Sequence, residues 1–460
     1  MTLLAVLILT GACSKTDANP GGKEAPEAYD YGRLVSWQRT DERSVSSMLK
    51  NLAHEYDINL DSLDFIDEIL DDKVISYRFV YTTVDIRGNS IKLSGDLAYM
   101  ADSGNGFTTL ESVSLFHPAF STDEVHTIEH EDYAFLARSI HSALVVHPHY
   151  QGSFEGKNVP GRPVTVGEIL LKARQAIDCE IAAINLLKQI FGVGLSETYY
   201  TENMGISCGA GVALATQYML ETDASLRRIN RKHIKLRSTY CCEGCYSFTD
   251  LLAGLTAPVP VDPEDFSEID LLRPTAVLAI IVGTYDTWKD MADGQGSTYF
   301  RGIDVRDYFS EDFLKFPFVE NRELVGDIIE YFRRGDLNHH SGMFVKSGFS
   351  AREILNPALV EAGGVNTENP LIKELFRAIS NNEVIKSGWE PICPLCISHS
   401  RADEFVPYEQ ADEIYQNLSI GGSNGNVKMQ SADKLSHSQS NAYFFAKDLL
   451  LSKHPCHDII

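Results

Sequence analysis

The sequence predicts an α/β protein in which a mostly parallel central sheet is flanked by helices, with a helical cap inserted late in the sheet. Three observations lead there. The runs at 112–116 and 142–148 are short and nearly continuously apolar, as strands buried on both faces are. Elsewhere the apolar period is helical, most clearly at 166–191, where Leu170, Ala173, Ile177, Ile181, Ile184 and Leu187 fall on one face. From 247 to 385 strand alternation fades and helical stretches dominate, which marks one long insertion.

Composition is that of a globular chain: of 460 residues, 44% are hydrophobic and 23% charged. Such a length holds up to about three ordinary domains, or one α/β domain with insertions. Acidic residues number 64 against 40 basic ones, a net charge of -24. That argues against a nucleic-acid partner and against a basic membrane-docking face, because neutralising phosphates needs clustered Lys and Arg.

Taken in order, the chain opens on an apolar run at 3–9, followed by Thr10-Gly11-Ala12-Cys13 and a polar stretch. The run is too short to span a bilayer and reads as the apolar part of a secretory leader with small residues at its cleavage site. Residues 14–31, rich in Pro, Gly and charge, form a flexible tether. Helical spacing at 45–52 and 60–70 makes a small lead-in to a core that spans 32–246. Strands follow at 74–84 and 91–100, joined across Arg87-Gly88-Asn89 as a hairpin. The strand at 112–116 ends in His117-Pro118-Ala119-Phe120. A connecting helix opening at Phe135 leads to 142–148, and the 166–191 helix follows a loop at 150–153. Then come a β-capable run from Tyr199, a helix at 211–220 and a strand at 233–240.

The insertion, 247–385, is read as helical, with helices at 320–332 and 372–379. The apolar run at 276–282 fits a buried helix or a buried strand; helix is the reading adopted. The core resumes over 386–460 with a strand at 396–399, a helix at 409–418, a strand at 427–430, a loop holding His437 and a helix at 441–451. No internal repeat is present.

The chemistry centres on Gly205-Ile206-Ser207-Cys208-Gly209, lying between a β-capable run and an Ala-rich helical segment. A nucleophilic Ser on a sharp strand-to-helix turn has a strained backbone, so the positions two before and two after it must be minimal. A nucleophilic Cys would stand between the two glycines, where Ser207 is. Cys208 occupies the next position.

With its elbow, an early His117-Pro118-Ala119-Phe120 turn, Asp403 in an Asp-x-x-Val-Pro stretch after a buried strand, and His437 in the loop beyond a further helix and strand, the chain resembles the α/β-hydrolase superfamily. The likeness covers about 74–451 and is to bacterial secreted lipase- and esterase-like members with a helical cap. The Ser, Asp, His order is the one that fold uses. The resemblance implies a serine hydrolase of carboxylic esters, working through an acyl-enzyme without cofactor or metal. It makes Ser207 the nucleophile, His437 the base and Asp403 the acid, with backbone N–H groups of Cys208 and of Ala119 or Phe120 as the oxyanion hole. The implied partner is a small-molecule ester. A serine peptidase of the same superfamily and an inactive hydrolase-like binding lipoprotein are the alternatives. The N-terminal Gly-Ala-Cys also resembles a bacterial lipoprotein box, which would lipidate Cys13 and hold the protein to the cell envelope by that anchor; a plain signal peptide is the alternative.

Other side chains are weighed beside these. Glu404 is read as a solvated charge and His399 as a core or sheet-edge residue. His147 and His149 either line the site or pack, His117 touches the oxyanion turn or is satisfied by local backbone, and His339 and His340 are surface residues. The insertion's aromatics, Tyr285 to Phe318, mostly pack its own core. Cys241, Cys242 and Cys245 with Cys393 and Cys396 are compatible with disulfides, free buried thiols, structural zinc or redox chemistry.

Overall fold

Among the described residues of the computed structural model, nine strands form one sheet in the order β1-β2-β3-β5-β4-β6-β7-β12-β13. The described residues are 31–56, 71–101, 112–119, 143–151, 166–191, 199–226, 234–258, 268–293, 295–320, 322–335, 337, 342–384, 388–420 and 425–444. The expected leader with Cys13, the tether up to residue 30, the helices at 60–70 and from 135, Phe120, His339, His340 and Cys456 lie outside them.

Strand β1 (Leu34–Ser44) runs directly into helix α1 (Val45–Tyr56). The sequence pattern does not foretell β1. It is an edge strand, charged and exposed along most of its length, so it carries no apolar alternation and is defined by pairing with its neighbour alone. β2 (Lys73–Val84) and β3 (Ser90–Ala101) form the expected antiparallel hairpin. Its turn is closed by Asp85, which accepts from the N–H groups of Arg87 and Asn89, and by Gly88 at φ 79°. Next come β4 (Ser112–His117), β5 (Ala143–Pro148), α2 (Ile169–Phe191), β6 (Tyr199–Ile206), α3 (Cys208–Thr222) and β7 (Ile234–Cys242).

The insertion then departs. It holds α4 (Phe248–Leu255), α5 (Glu268–Trp288), α6 (Glu311–Lys315), β8 (Val319–Glu320), β9 (Glu323–Leu324), α7 (Ile328–Arg333), α8 (Met343–Lys346), β10 (Val360–Glu361), β11 (Gly364–Val365) and α9 (Pro370–Ile379). The ambiguous run at 276–282 lies within α5, every residue of it buried, as befits a helix apolar on all sides. The reading of 320–332 as one helix is corrected: β8 and β9 pair as a short ribbon and only α7 is helical. The reason is capping, since the Asp327 carboxylate accepts from the N–H groups of Ile329 and Glu330 and starts the helix there. Rings of Phe313, Phe316, Phe318, Phe344 and Phe349 pack on one another at centroid distances of 4.8–5.6 Å, so these aromatics do form the insertion's own core.

The sheet resumes with β12 (Leu395–Ser400), followed by α10 (Tyr408–Ile420), β13 (Val427–Ala432) and α11 (His437–Phe444). From β5 to β13 every neighbouring pair is parallel, while β1, β2 and β3 are antiparallel. Helix α2 packs on β2 through buried bonds, with Tyr81 Oη donating to Gln175 O and Thr83 Oγ1 to Asp178 Oδ2. The chain leaves β4 outward to β5 and then returns past it to β6. Adjacent β4 and β6 therefore send their connections opposite ways, which makes their carboxyl ends the topological switch point of the sheet. His117 ends β4 and Ser207 follows β6, so both face that switch point.

Candidate active site

Ser207 joins β6 to α3 with φ 52° and ψ -124°, a backbone conformation costly for a residue with a side chain. The surroundings hold it there. Its N–H donates to Cys242 O at 2.8 Å, and its carbonyl accepts from Ala210 N at 3.0 Å and Cys245 N at 3.2 Å. The two flanking glycines are required by contact as well as by strain: a Cβ on Gly205 would collide with the Gly209 carbonyl, and one on Gly209 with the carbonyls of His117 and Pro118. The turn at 117–119 thus lies against the start of α3.

His437 and Asp403 come from the far side of the sheet. His437 Nε2 lies 3.0 Å from Ser207 Oγ, and its Nδ1 lies 2.6 Å from Asp403 Oδ2. Ser207 and His437 are almost wholly buried, and the Asp403 side chain is entirely so. Asp403 Oδ1 accepts from Phe405 N and Val406 N, both at 2.8 Å, which pins the carboxylate and leaves Oδ2 to the imidazole. Burial works to raise the Asp403 pKa, but the His437 charge, the nearby His399 imidazole and the His437 hydrogen bond hold it well below the usual carboxylate range. Burial likewise works to lower the His437 pKa, and the Asp403 charge and hydrogen bond override it, leaving the imidazole above its ordinary value. The same carboxylate produces both shifts.

His437 was expected in a loop with its helix beginning at 441. Instead it is the first residue of α11. Ser436 Oγ accepts from Gln439 N while Gln439 Oε1 accepts from Ser436 N, a reciprocal capping box. The Ser-x-x-Gln spacing was visible in the sequence and is the signal that would have placed the helix start. Glu404 also differs from its reading as a solvated charge. Its carboxylate accepts from His437 N at 3.0 Å, placing negative charge at the N-terminus of α11, and its carbonyl accepts from Arg273 of α5.

His117 is satisfied by side chains, not by local backbone. Asn203 Nδ2 donates to Ala213 O and Thr239 Oγ1, so its Oδ1 faces His117 Nε2 as acceptor at 2.7 Å. His117 Nε2 therefore carries the hydrogen, and Nδ1 accepts from the Tyr150 hydroxyl. Burial pushes its pKa down to about 4, so this imidazole is neutral. Ala119 lies in the described turn. Cys208 opens α3 with its thiol buried.

His399 is buried as expected, but directly against Asp403: its Nε2 donates to Val406 O at 3.0 Å and lies 3.3 Å from Asp403 Oδ2. His147 and His149 form a separate buried row with Asp96, in which His149 Nδ1 meets Ser94 Oγ at 2.7 Å and Arg78 forks onto Asp96. Two groups among the described residues bring three metal-ligand atoms within 4.8 Å: Asp96 with His147 and His149, and Glu243 with Asp403 and His437. In the first the Asp96 carboxylate is already engaged by Arg78; in the second Asp403 is engaged by His437, while Glu243 accepts from Ser400 N through Oε1. No cysteine belongs to either, and the described cysteines are all free thiols.

No protein-family model matches the chain, and no curated protein sequence does. Solved structures do. A ligand-bound form of the rice cell wall degrading esterase LipA from Xanthomonas oryzae aligns with TM-score 0.64 at 15% identity, over 92% of this chain and 97% of that one. A hydrolase described as putative from Legionella pneumophila gives 0.64 at 14%, over 93% and 98%. Candida antarctica lipase A gives 0.56 at 11%, over 91% and 82%.

Proposed function

We propose that this chain, whose fold is that of the α/β-hydrolases, is a serine hydrolase that cleaves carboxylic esters through an acyl-enzyme on Ser207. One observation carries the reading: the unbroken row from Ser207 Oγ through the His437 imidazole to Asp403 Oδ2, at 3.0 and 2.6 Å. Neutral His437 takes the Ser207 proton as Oγ attacks the ester carbonyl, and Asp403 holds the imidazole in the tautomer whose Nε2 is free to accept it. The tetrahedral oxyanion is met by the N–H of Cys208, at the positive end of α3, and by the N–H of Ala119 in the 117–119 turn; each such donor lowers the barrier by about 3 kcal/mol. Protonated His437 then releases the alcohol, and water cleaves the acyl-enzyme by the same steps in reverse. An ester substrate is favoured because the structural neighbours include an esterase and a lipase and the fold is shared over most of both chains.

The test is Ser207→Ala. Turnover of short-chain p-nitrophenyl esters and labelling by a fluorophosphonate probe are both expected to vanish while the thermal melt is retained. Unchanged turnover in the folded variant would remove Ser207 as nucleophile.

A further inference from the structure

The row from Ser207 to Asp403 has a second carboxyl group behind it that it does not use. Glu243 directly follows β7, with φ 49° and a side chain that is wholly buried. It bridges two strand ends: its N–H donates to Ser398 O at 2.8 Å and its Oε1 accepts from Ser400 N at 2.9 Å. Its Oε2 receives no hydrogen bond among the described residues. That oxygen lies 3.4 Å from His399 Nε2, whose hydrogen is directed to Val406 O. The Asp403 carboxylate and the His437 imidazole complete the ring of groups around it, each with an atom within 4.8 Å of a Glu243 oxygen.

Two carboxylates this close and cut off from water cannot both ionise, so one holds a proton. Donor counting decides which. Asp403 accepts from two backbone N–H groups and from His437, whereas Glu243 accepts from one backbone N–H. Asp403 keeps the charge. The Ser440 hydroxyl beside Glu243 directs its hydrogen to Ser436 O at 2.8 Å and His437 O at 3.1 Å, so it is not a full donor to Glu243, and as an acceptor it is neutral and weaker than a carboxylate.

We propose that Glu243 is a protonated carboxylic acid at neutral pH, and that its O–H donates to Asp403, making it the positioning residue that aims the acid at His437. The burial of Glu243 and the adjacent Asp403 charge both push its pKa far above the carboxylate range, in agreement with that placement. Nothing is transferred: the proton stays on Glu243 while Asp403 remains the ionised partner of the imidazole. The proposal rests on the hydrolase reading above and adds to it a fourth side chain, supplied by the end of β7.

The test compares Glu243→Gln and Glu243→Leu in the full chain. The amide of Gln still donates to Asp403, and Leu fills a similar volume without a donor. Glu243→Leu is expected to lower kcat about tenfold or more with KM little changed, the loss due to a hydrogen bond on a charged acceptor, and Glu243→Gln to recover most of it. The low-pH limb of kcat/KM is expected to stay in place in Glu243→Gln, because a neutral group replaces a neutral group. Infrared spectra at neutral pH should show a protonated-carboxyl C=O band that Glu243→Gln removes. If Glu243 were ionised, that band would be absent and Glu243→Gln would move the limb down by about one unit, as loss of a nearby negative charge lowers an imidazole pKa. Either result overturns the proposal, as does equal activity of the two variants. Should Glu243→Leu fail to fold, the band and the limb decide the matter alone. Because the infrared band does not depend on turnover, it reports on Glu243 even if Ser207→Ala shows that the hydrolase reading is wrong.

Discussion

Replacing Asp403 by Asn isolates the orientation of His437 from its position. The structure fixes which way the amide must turn. Oδ1 receives two backbone N–H groups at 2.8 Å, so an NH2 placed there would face two donors and lose both bonds. The Asn carbonyl therefore takes that side, and its NH2 faces His437 Nδ1. The imidazole must respond by accepting at Nδ1 and carrying its hydrogen on Nε2, where it donates to Ser207 Oγ and cannot take a proton from it. Loss of the base in this way costs about 10⁴-fold in kcat, equivalent to about 5 kcal/mol of barrier. The assay is hydrolysis of p-nitrophenyl butyrate by wild type and Asp403→Asn, with fluorophosphonate labelling rates measured in parallel and thermal melts to establish that both are folded. A fall of less than about tenfold in a folded variant would refute the tautomer argument, since a misdirected base cannot support near-normal turnover.

Three further predictions come from the same geometry. The His437 pKa is raised above its ordinary 6.5 by Asp403, and the base must be neutral, so kcat/KM should rise with pH through a midpoint above 6.5; a midpoint below that value would contradict the coupling. The stability linkage runs the other way: a raised imidazole pKa contributes stability that is complete below the unfolded pKa and lost as pH rises through the folded one, which pH-dependent melts of wild type and His437→Ala would show. Gly209→Ala would force its Cβ into the carbonyls of His117 and Pro118, both backbone, so the 117–119 turn and the head of α3 must separate. A drop in kcat of about 10²-fold, the size of a lost oxyanion donor, together with a lower melting temperature is expected; wild-type kinetics would show that this contact does not matter.

Much of the candidate site could be read before any coordinates because its requirements are local. A nucleophile turn needs Gly205 and Gly209 within two residues of Ser207, whereas the helix that begins at His437 was expected only from 441. The parallel strands β4 and β5 were likewise marked by their own apolar runs. The polar edge strand β1 was not legible, because a strand facing water carries no apolar period and is held by backbone pairing with β2. Nor could spacing foresee that Glu404 would sit at the start of α11, that Arg273 of the insertion would reach its carbonyl, or that Asn203 and Tyr150 would settle the tautomer of His117.

The sequence by itself determined the Gly-x-Ser-x-Gly turn, the chain order of the three side chains proposed to react and the class of the sheet, since each is read from residue order, local sterics or periodicity. Only the tertiary structure decided how those side chains are charged. Glu243 and Asp403 are far apart in the chain and meet because β7 and β12 are parallel neighbours, so the segments leaving their carboxyl ends start side by side. Which of two carboxyls keeps its proton depends on the donors and the water around it, and these are set by strand order rather than by either residue's neighbours in sequence.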